Sequence, residues 1–221
     1  MVIDSIESNP IIDFIDALPN LRAVPDLLND LHMFNPLNWS WINLSPFQSG
    51  ASPPARMGHG FASFGRNLYV HGGYDTYPRV LNDLYVLDPE TVSWTDLTLR
   101  SLGSAPTPRR YHGFIALAGN LYVHGGEDEN GTYQNTCNHF RDSEIRKISN
   151  CNNVGLCRDD LYGFDIATET WINLSENALG SIPPPRSNHG FTTDGFMLYV
   201  QGGIKIDGIC ALFSDRVSHE L

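Results

Sequence analysis

Short apolar runs separated by glycine, proline, asparagine and aspartate dominate this chain, and such punctuation is typical of β-strands joined by tight turns. The clearest run is an aliphatic-Tyr-Val core that ends on two glycines, and it occurs at 68–73, 121–126 and 198–203. The core is apolar almost continuously rather than at alternate positions, which is what a sheet covered on both faces requires. The pattern therefore predicts an all-β protein built from small sheets that cover one another.

The apolar core belongs to a longer repeat. Each core follows an Arg-x-x-His-Gly-Phe motif, at 56–61, 109–114 and 186–191. The second half of the unit, with Asp-Leu-Tyr and a later Trp, lies at 82–94 and 160–171, and an earlier copy lies at 29–41. The step from His59 to His112 is 53 residues and that from His112 to His189 is 77, so the second complete unit carries 24 extra residues, which lie between Gly126 and Asp160.

Each complete unit predicts four antiparallel strands: a at His-Gly-Phe, b at Leu-Tyr-Val, c at Asp-Leu-Tyr and d from the Trp onward. A period of about 50 residues with a double glycine after a hydrophobic strand, a Tyr in strand c and a Trp beyond it resembles the kelch repeats. The resemblance implies an all-β fold, an incomplete kelch-type β-propeller with four-stranded antiparallel blades. It also implies that binding is the usual function.

The repeat divides the chain into a segment at 1–28 without repeat signature, a kelch array at 29–203 and a degenerate tail at 204–221. The array comprises a half-blade at 29–45, a blade at 54–99, a blade at 106–175 with an insertion at 127–159, and a half-blade at 183–203. Closure within one chain would give three blades, fewer than the four to eight typical of propellers. We therefore expect either a fragment of a longer propeller or a partial ring that self-associates through its incomplete blades.

Apolar residues at 11–18 predict a short helix that starts near Pro10 and covers the open edge of the first sheet. Charge narrows the partners: 14 Lys and Arg against 25 Asp and Glu give a formal charge of −11. An acidic surface repels phosphate backbones and anionic lipids, so we expect no nucleic-acid partner and no membrane insertion. No secretory signal is expected at the start, so the cytoplasm is the default compartment, with an extracellular location open for a fragment.

The recurring histidines are His59, His112 and His189 at one position of the repeat, and His71 and His124 at another. One histidine per blade at fixed phase favours packing and hydrogen bonding within each blade over a metal site, whose ligands must converge. The double glycines favour backbone turns over a phosphate cradle, because a strand rather than a helix follows them. We therefore expect neither a metal nor a cofactor.

Strand direction brings the d–a and b–c connections to one face of the propeller, and this face is the predicted partner-binding surface. The candidate contact residues there are Arg56, Arg109, Arg186, Tyr74, Tyr77 and Tyr133. The arginines, just before strand a, can pair with carboxylates of a partner, or they can tie neighbouring blades together. The tyrosines lie on b–c connections, where exposed rings can contact a protein or a carbohydrate.

The insertion holds three of the four cysteines, Cys137, Cys151 and Cys157. The fourth, Cys210, lies in the tail. Four cysteines allow two disulfides in three connectivities, which would indicate an oxidising compartment. Reduced thiols and a zinc site that includes His139 are the alternatives.

The sequence favours a protein–protein interaction module, whose partner it cannot name, over an enzyme. A galactose-oxidase-like enzyme fragment, which would need convergent tyrosines, histidines and a cysteine on a full ring, is one alternative. A carbohydrate-binding surface is the other. No catalytic residue is predicted.

Overall fold

Short antiparallel strands grouped into small sheets make up the described part of the chain. The computed structural model describes residues 26–75, 79–128 and 157–205, together with the backbone of 137–139 and 146–148. The predicted N-terminal helix and most of the tail lie outside these residues. The strands, in chain order, are β1 His32–Asn35, β2 Ser40–Asn43, β3 Ser49–Gly50, β4 Gly60–Phe64, β5 Asn67–Tyr74, β6 Val80–Asp88, β7 Ser93–Asp96, β8 Leu102–Gly103, β9 Gly113–Leu117, β10 Asn120–His124, β11 Cys137–His139, β12 Arg146–Ile148, β13 Leu161–Asp165, β14 Thr170–Asn173, β15 Gly190–Thr193 and β16 Leu198–Gln201. Two 3₁₀ turns, Ser45–Phe47 and Ser175–Asn177, follow β2 and β14.

Two of the sheets are complete blades. Strands a to d are β4, β5, β6 and β7 in the first blade and β9, β10, β13 and β14 in the second, each antiparallel to its neighbour. In the first blade Val70 pairs with Phe61 on one side and with Tyr85 on the other, and the second blade repeats this register. The predicted fold class, an incomplete all-β propeller with four-stranded antiparallel blades, is confirmed.

Each complete blade also carries a fifth strand that the repeat pattern did not predict. β3 pairs in parallel with β7, and β8 pairs in parallel with β14, at the outer edge of each sheet. Both belong to the connection that enters the blade from strand d of the preceding unit. Two-residue strands are too short to show an apolar period, so no sequence pattern marks them. Their effect is to cover the outer edge of strand d, which would otherwise be open to other strands.

The two half-blades are two-stranded sheets. The N-terminal half-blade pairs β1 with β2, which are strands c and d, and the C-terminal half-blade pairs β15 with β16, which are strands a and b. Within the described residues the two half-blades do not pair with each other. A separate hairpin, β11 with β12, lies in the predicted insertion.

The main apolar cluster lies between the two complete blades. The first blade contributes Tyr69, Leu84 and Leu97, and the second contributes Phe114, Leu121, Val123, Phe164 and Trp171. Removal of apolar surface from water is the dominant favourable term in folding. Each blade is therefore stabilised largely by the blade beside it. In the described part of the chain, no helix is both long and apolar enough to cross a membrane.

Candidate partner-binding face

The d–a and b–c connections lie side by side at one end of the blades. The residue that follows the motif arginine bridges to the residue after the double glycine in three places: Met57 with Tyr74, Arg110 with Glu127, and Ser187 with Ile204. These backbone bridges hold the two kinds of connection next to each other. Side chains from both therefore form one surface, which we call the connection face.

The double glycines let neighbouring blades approach closely beneath this face. Gly72 has a φ of +60°, and a Cβ there would lie 2.7 Å from the carbonyl oxygen of Arg109 in the next blade. Gly125 stands in the same relation to Arg186. The backbone N–H of Gly73 donates to that Arg109 oxygen at 2.8 Å. The glycines are thus backbone turns, and they also make room for a hydrogen bond between blades.

The side chains of Arg56 and Arg109, which were predicted as partner contacts, are buried and bonded within the chain. Arg56 donates from Nη1 and Nη2 to the two carboxylate oxygens of Asp83, at 2.6 and 2.7 Å, and from Nη1 to the Gly72 carbonyl at 2.8 Å. Arg109 repeats this arrangement with Asp160, at 2.6 and 3.0 Å, and its side chain is fully buried. Bidentate pairs of this kind are among the stronger hydrogen bonds in proteins. The arginine side chains join strand a to strand c within their own blade rather than joining neighbouring blades.

Arg186 differs from its two counterparts because it is half-buried. Its Nη1 donates to the Gly202 carbonyl at 2.9 Å, as the other two arginines do to their glycines. Among the described residues no carboxylate pairs with it, since strand c of its blade is not among them.

A cluster of two tyrosines and an arginine, Tyr74, Arg110 and Tyr111, lies on the connection face, and we call it the Tyr–Arg cluster. The two rings meet edge to face with centroids 6.3 Å apart. The Arg110 guanidinium carbon lies 5.2 Å from the Tyr74 centroid and 5.5 Å from the Tyr111 centroid. Arg110 Nε also donates to Glu127 at 3.3 Å. All three side chains are half-buried, so part of each remains accessible to a partner.

Tyr111 adopts a backbone conformation that side chains rarely adopt. Its φ is +56°, whereas the equivalent positions of the repeat hold Gly58 and Asn188, residue types that tolerate such angles. Burial, and then a hydrogen bond with Tyr74, raise the pKa of Tyr111 to about 12, so its phenol keeps its proton at neutral pH. Strained residues of this kind often mark functional sites.

Of the three tyrosines predicted as partner contacts, one lies in the Tyr–Arg cluster. Tyr74 lies in the cluster, whereas Tyr77 and Tyr133 lie outside the described residues. Arg110 and Tyr111 were not predicted as contact residues, because they lie inside the repeated motif, where only the recurring arginine suggested a contact. The sequence feature that could have identified them is a difference between repeat units. Where the other units have Met57-Gly58 and Ser187-Asn188, the second blade has Arg110-Tyr111.

Backbone and side-chain hydrogen bonds hold both ends of the insertion at the connection face. Glu127 bridges to Cys157 through the backbone, and the Glu127 carboxylate accepts a hydrogen bond from Ser187 Oγ at 2.7 Å. Arg158 Nε donates to the buried carboxylate of Asp128 at 2.6 Å. Both ends of the insertion are therefore fixed to the second blade and its neighbour.

Cys157, one of the four cysteines of the predicted disulfides, is buried with a free thiol. Its Sγ lies 3.7 Å from Ser187 Oγ and 3.6 Å from the Ile204 carbonyl oxygen. Cys151 and Cys210 lie outside the described residues, and only the backbone of Cys137 is described.

The histidines have a structural role, but between blades and not within them as predicted. His71 Nδ1 lies 3.1 Å from His112 Nε2, and His124 Nδ1 lies 3.1 Å from His189 Nε2. Burial, with Arg109 next in size, lowers the pKa of His71 to about 3, and burial, with His189 next, lowers the pKa of His124 to about 4. Each pair is therefore a neutral hydrogen bond across a blade interface. No group of three or more potential metal ligands occurs within the described residues.

Comparison with known proteins places this arrangement in a family. The model of the KLHDC2/KLHL20/DRC7 Kelch-repeats domain matches residues 23–203. Host cell factor 1 of Homo sapiens is 30% identical over 190 residues, which cover 79% of this chain and 8% of that protein. Host cell factor of Drosophila melanogaster is 29% identical over 196 residues, covering 79% of this chain and 11% of that protein.

Kelch domain-containing protein 3 of Homo sapiens is 29% identical over 177 residues, covering 79% of this chain and 40% of that protein. The chain thus spans less than half the length of each of these three relatives. The match of the family model covers most of the chain and includes both complete blades and both half-blades. This chain belongs to the kelch-repeat family.

Proposed function

We propose that this chain is a protein–protein interaction module that engages its partner through the connection face, with the Tyr–Arg cluster at the centre of the contact. The observation that carries the proposal is the cluster itself: Tyr74, Arg110 and Tyr111 are held against one another and remain half-buried. Membership of the kelch-repeat family supports binding as the general function.

The chemistry of the cluster suits a protein contact. Tyrosine and arginine are enriched among the residues that contribute most to protein–protein affinity. An aromatic ring offers a large apolar surface at low cost in side-chain entropy, and a guanidinium offers several donors in a planar fork. Because Arg110 is already held over both rings, little further ordering is needed when a partner binds.

The insertion supports the same choice of face. It leaves the second blade directly after Glu127, whose carboxylate contacts Arg110, so its anchored ends adjoin the Tyr–Arg cluster. Specificity in propellers is carried by connections of variable length on a rigid frame. We therefore place the insertion at the rim of the same contact.

Affinity purification with matched variants tests the proposal. Arg110→Ala and Tyr111→Ala should each strongly reduce recovery of the proteins that the unmodified chain retains, because each removes part of the cluster. Arg66→Ala is the control: Arg66 is an exposed arginine on the a–b turn, at the opposite end of the first blade. Equal recovery with all three variants, or a larger loss with Arg66→Ala, would show that the connection face is not the contact.

A further inference from the structure

We propose that proton uptake by the buried pair His71 and His112 opens the junction between the two complete blades and separates the parts of the Tyr–Arg cluster. The connection face then binds its partner at neutral pH and releases it in acid. The effect on binding rests on the proposed function, because the cluster is the proposed contact, whereas the opening can be measured without a partner.

The Tyr–Arg cluster is assembled across this junction. Tyr74 ends β5 of the first blade, whereas Arg110 and Tyr111 lie just before β9 of the second. The edge-to-face contact of the two rings, and the contact of the Arg110 guanidinium with the Tyr74 ring, therefore join one blade to the other. The backbone N–H of Tyr111 also donates to the carbonyl of Gly58, just before β4, at 2.8 Å. The cluster keeps its shape only while the blades stay in contact at this end.

The two histidines join the same two segments of the chain. His71 is three residues before Tyr74 in β5, and His112 directly follows Tyr111. His71 Nδ1 lies 3.1 Å from His112 Nε2, and the two rings meet edge to face with centroids 4.9 Å apart. The His71 ring also stacks on Phe114 of the second blade, with centroids 5.6 Å apart. Both histidines are buried, so a change in their charge acts at the base of the cluster.

The geometry of the pair suits two neutral rings. A neutral imidazole has one N–H donor and one acceptor nitrogen, so one ring can donate to the other across the 3.1 Å contact. The outer nitrogens, Nε2 of His71 and Nδ1 of His112, have no hydrogen-bond partner among the described residues. A first added proton therefore places an unpaired charge in a buried site, and a second leaves two donors facing each other.

The surroundings of the pair do not stabilise a positive charge. The charged or titratable groups around it are Arg56, Arg109, His59 and His189, together with Asp83 and Asp160, which are bonded to the two arginines. Burial, and then Arg109, lower the pKa of His71 to about 3. Burial, and then His71, lower the pKa of His112 well below its usual value. Both rings are therefore neutral in the closed junction at neutral pH.

Opening the junction removes these constraints. An imidazole exposed to water has its ordinary pKa near 6.5, so the open form takes up protons below pH 6.5 that the closed form resists. The preference for the closed junction is therefore complete above pH 6.5 and declines as the pH falls, down to about 3 for His71. The strands of each blade form a sheet of their own, so this hydrogen bonding does not have to break when the blades separate.

Amide hydrogen exchange measures the opening directly. The backbone N–H of Gly73 donates to the Arg109 carbonyl, and that of Tyr111 to the Gly58 carbonyl, both at 2.8 Å, so both bonds cross the junction. Their protection factors should fall at least about tenfold between pH 6.5 and pH 5, because one exposed imidazole alone shifts the equilibrium by that much. Amides of the β5–β6 ladder, inside the first blade, should keep their protection. Unchanged protection at the junction, or an equal fall in the ladder, would overturn the proposal.

Two variants assign the effect to the histidine pair. His71→Gln and His112→Gln each remove one titrating ring, so each should make the fall in protection several-fold smaller. His32→Gln, which removes an exposed histidine, is the matched control and should leave the fall unchanged. The ladder amides show at pH 7 whether each variant is folded. A full pH effect in both variants of the pair would overturn the proposal.

Partner recovery at pH 7 and at pH 5 connects the opening with binding. The unmodified chain should retain its partner at pH 7 and lose most of it at pH 5, and His71→Gln should lose less. Equal losses from the two chains would assign the pH effect to the partner and overturn the link to binding. Recovery at pH 7 that does not change in Tyr111→Ala would overturn the proposed function, while hydrogen exchange would still decide the opening.

Discussion

The interface between the two complete blades and the connection face above it differ in how they use the repeat. At the interface the same residue types recur in successive units: Phe114 and Phe191 pack on glycines, and His112 and His189 accept or donate to the histidine of the preceding blade. On the connection face the equivalent positions diverge, with Arg110 and Tyr111 in the second blade alone. Positions that recur therefore build the fold, and positions that diverge are the better candidates for recognition.

The largest expected change in the free energy of unfolding comes from breaking the buried ion pair of the second blade. Arg109→Ala leaves the Asp160 carboxylate without its bidentate partner, and breaking such a buried pair costs about 3–5 kcal/mol of unfolding free energy. Urea denaturation measures the change. The control is Arg100→Ala, which removes an exposed pair with Glu169 and should leave the free energy of unfolding nearly unchanged. Equal effects of the two variants would show that burial does not set the strength of the Arg109 pair.

The next effect is on the pH dependence of stability. His71, His112 and His124 have folded-state pKa values far below the usual 6.5, because they are buried. The unfolded chain binds protons below pH 6.5 while the folded chain does not. Their contribution to stability is therefore complete above pH 6.5 and is lost as the pH falls, down to about 3 for His71 and about 4 for His124.

His71→Gln is the matched variant for this prediction, because the third unit carries Gln201 at the same position. Urea denaturation at intervals between pH 6.5 and 5 should give a shallower loss of stability for the variant than for the unmodified chain. An unchanged slope would mean that His71 is not kept neutral by the blade interface.

A smaller effect on stability, but a large one on binding, is expected at Tyr111. Tyr111→Gly relieves the positive φ and removes the contacts of the ring, so the two changes offset and the free energy of unfolding should shift by less than about 1 kcal/mol. Partner recovery should fall as it does for Arg110→Ala. A destabilisation comparable to that of Arg109→Ala would instead assign Tyr111 to the fold.

The smallest effect on stability is expected for the insertion. Replacing residues 130–155 with a few Gly and Ser residues keeps the anchors Glu127, Asp128, Cys157 and Arg158, and the cost of closing a surface loop changes slowly with its length. Thermal unfolding should be nearly unchanged, while binding at the rim of the connection face should weaken. A loss of several kcal/mol would show that the insertion packs against the core.

The strands of the blades were predictable from the sequence, whereas the directions and partners of several side chains were not. The period of the apolar cores and the position of each Trp predicted the strands of the blades, because a two-sided sheet demands continuous apolar runs. The direction of Arg56 and Arg109 could not be predicted, since a motif on a connection does not show whether its side chain turns toward solvent or toward Asp83 and Asp160. The histidine pairs were missed for a related reason: their partners lie in different units.

Site-specific photo-crosslinking tests the central claim, that the connection face binds another protein, most directly. A photoreactive phenylalanine analogue replaces Tyr111 in one variant and Arg66, on the opposite end of the first blade, in another. We expect a discrete adduct with another protein from position 111, and none from position 66. An adduct from position 66 alone, or equal adducts from both positions, would contradict it.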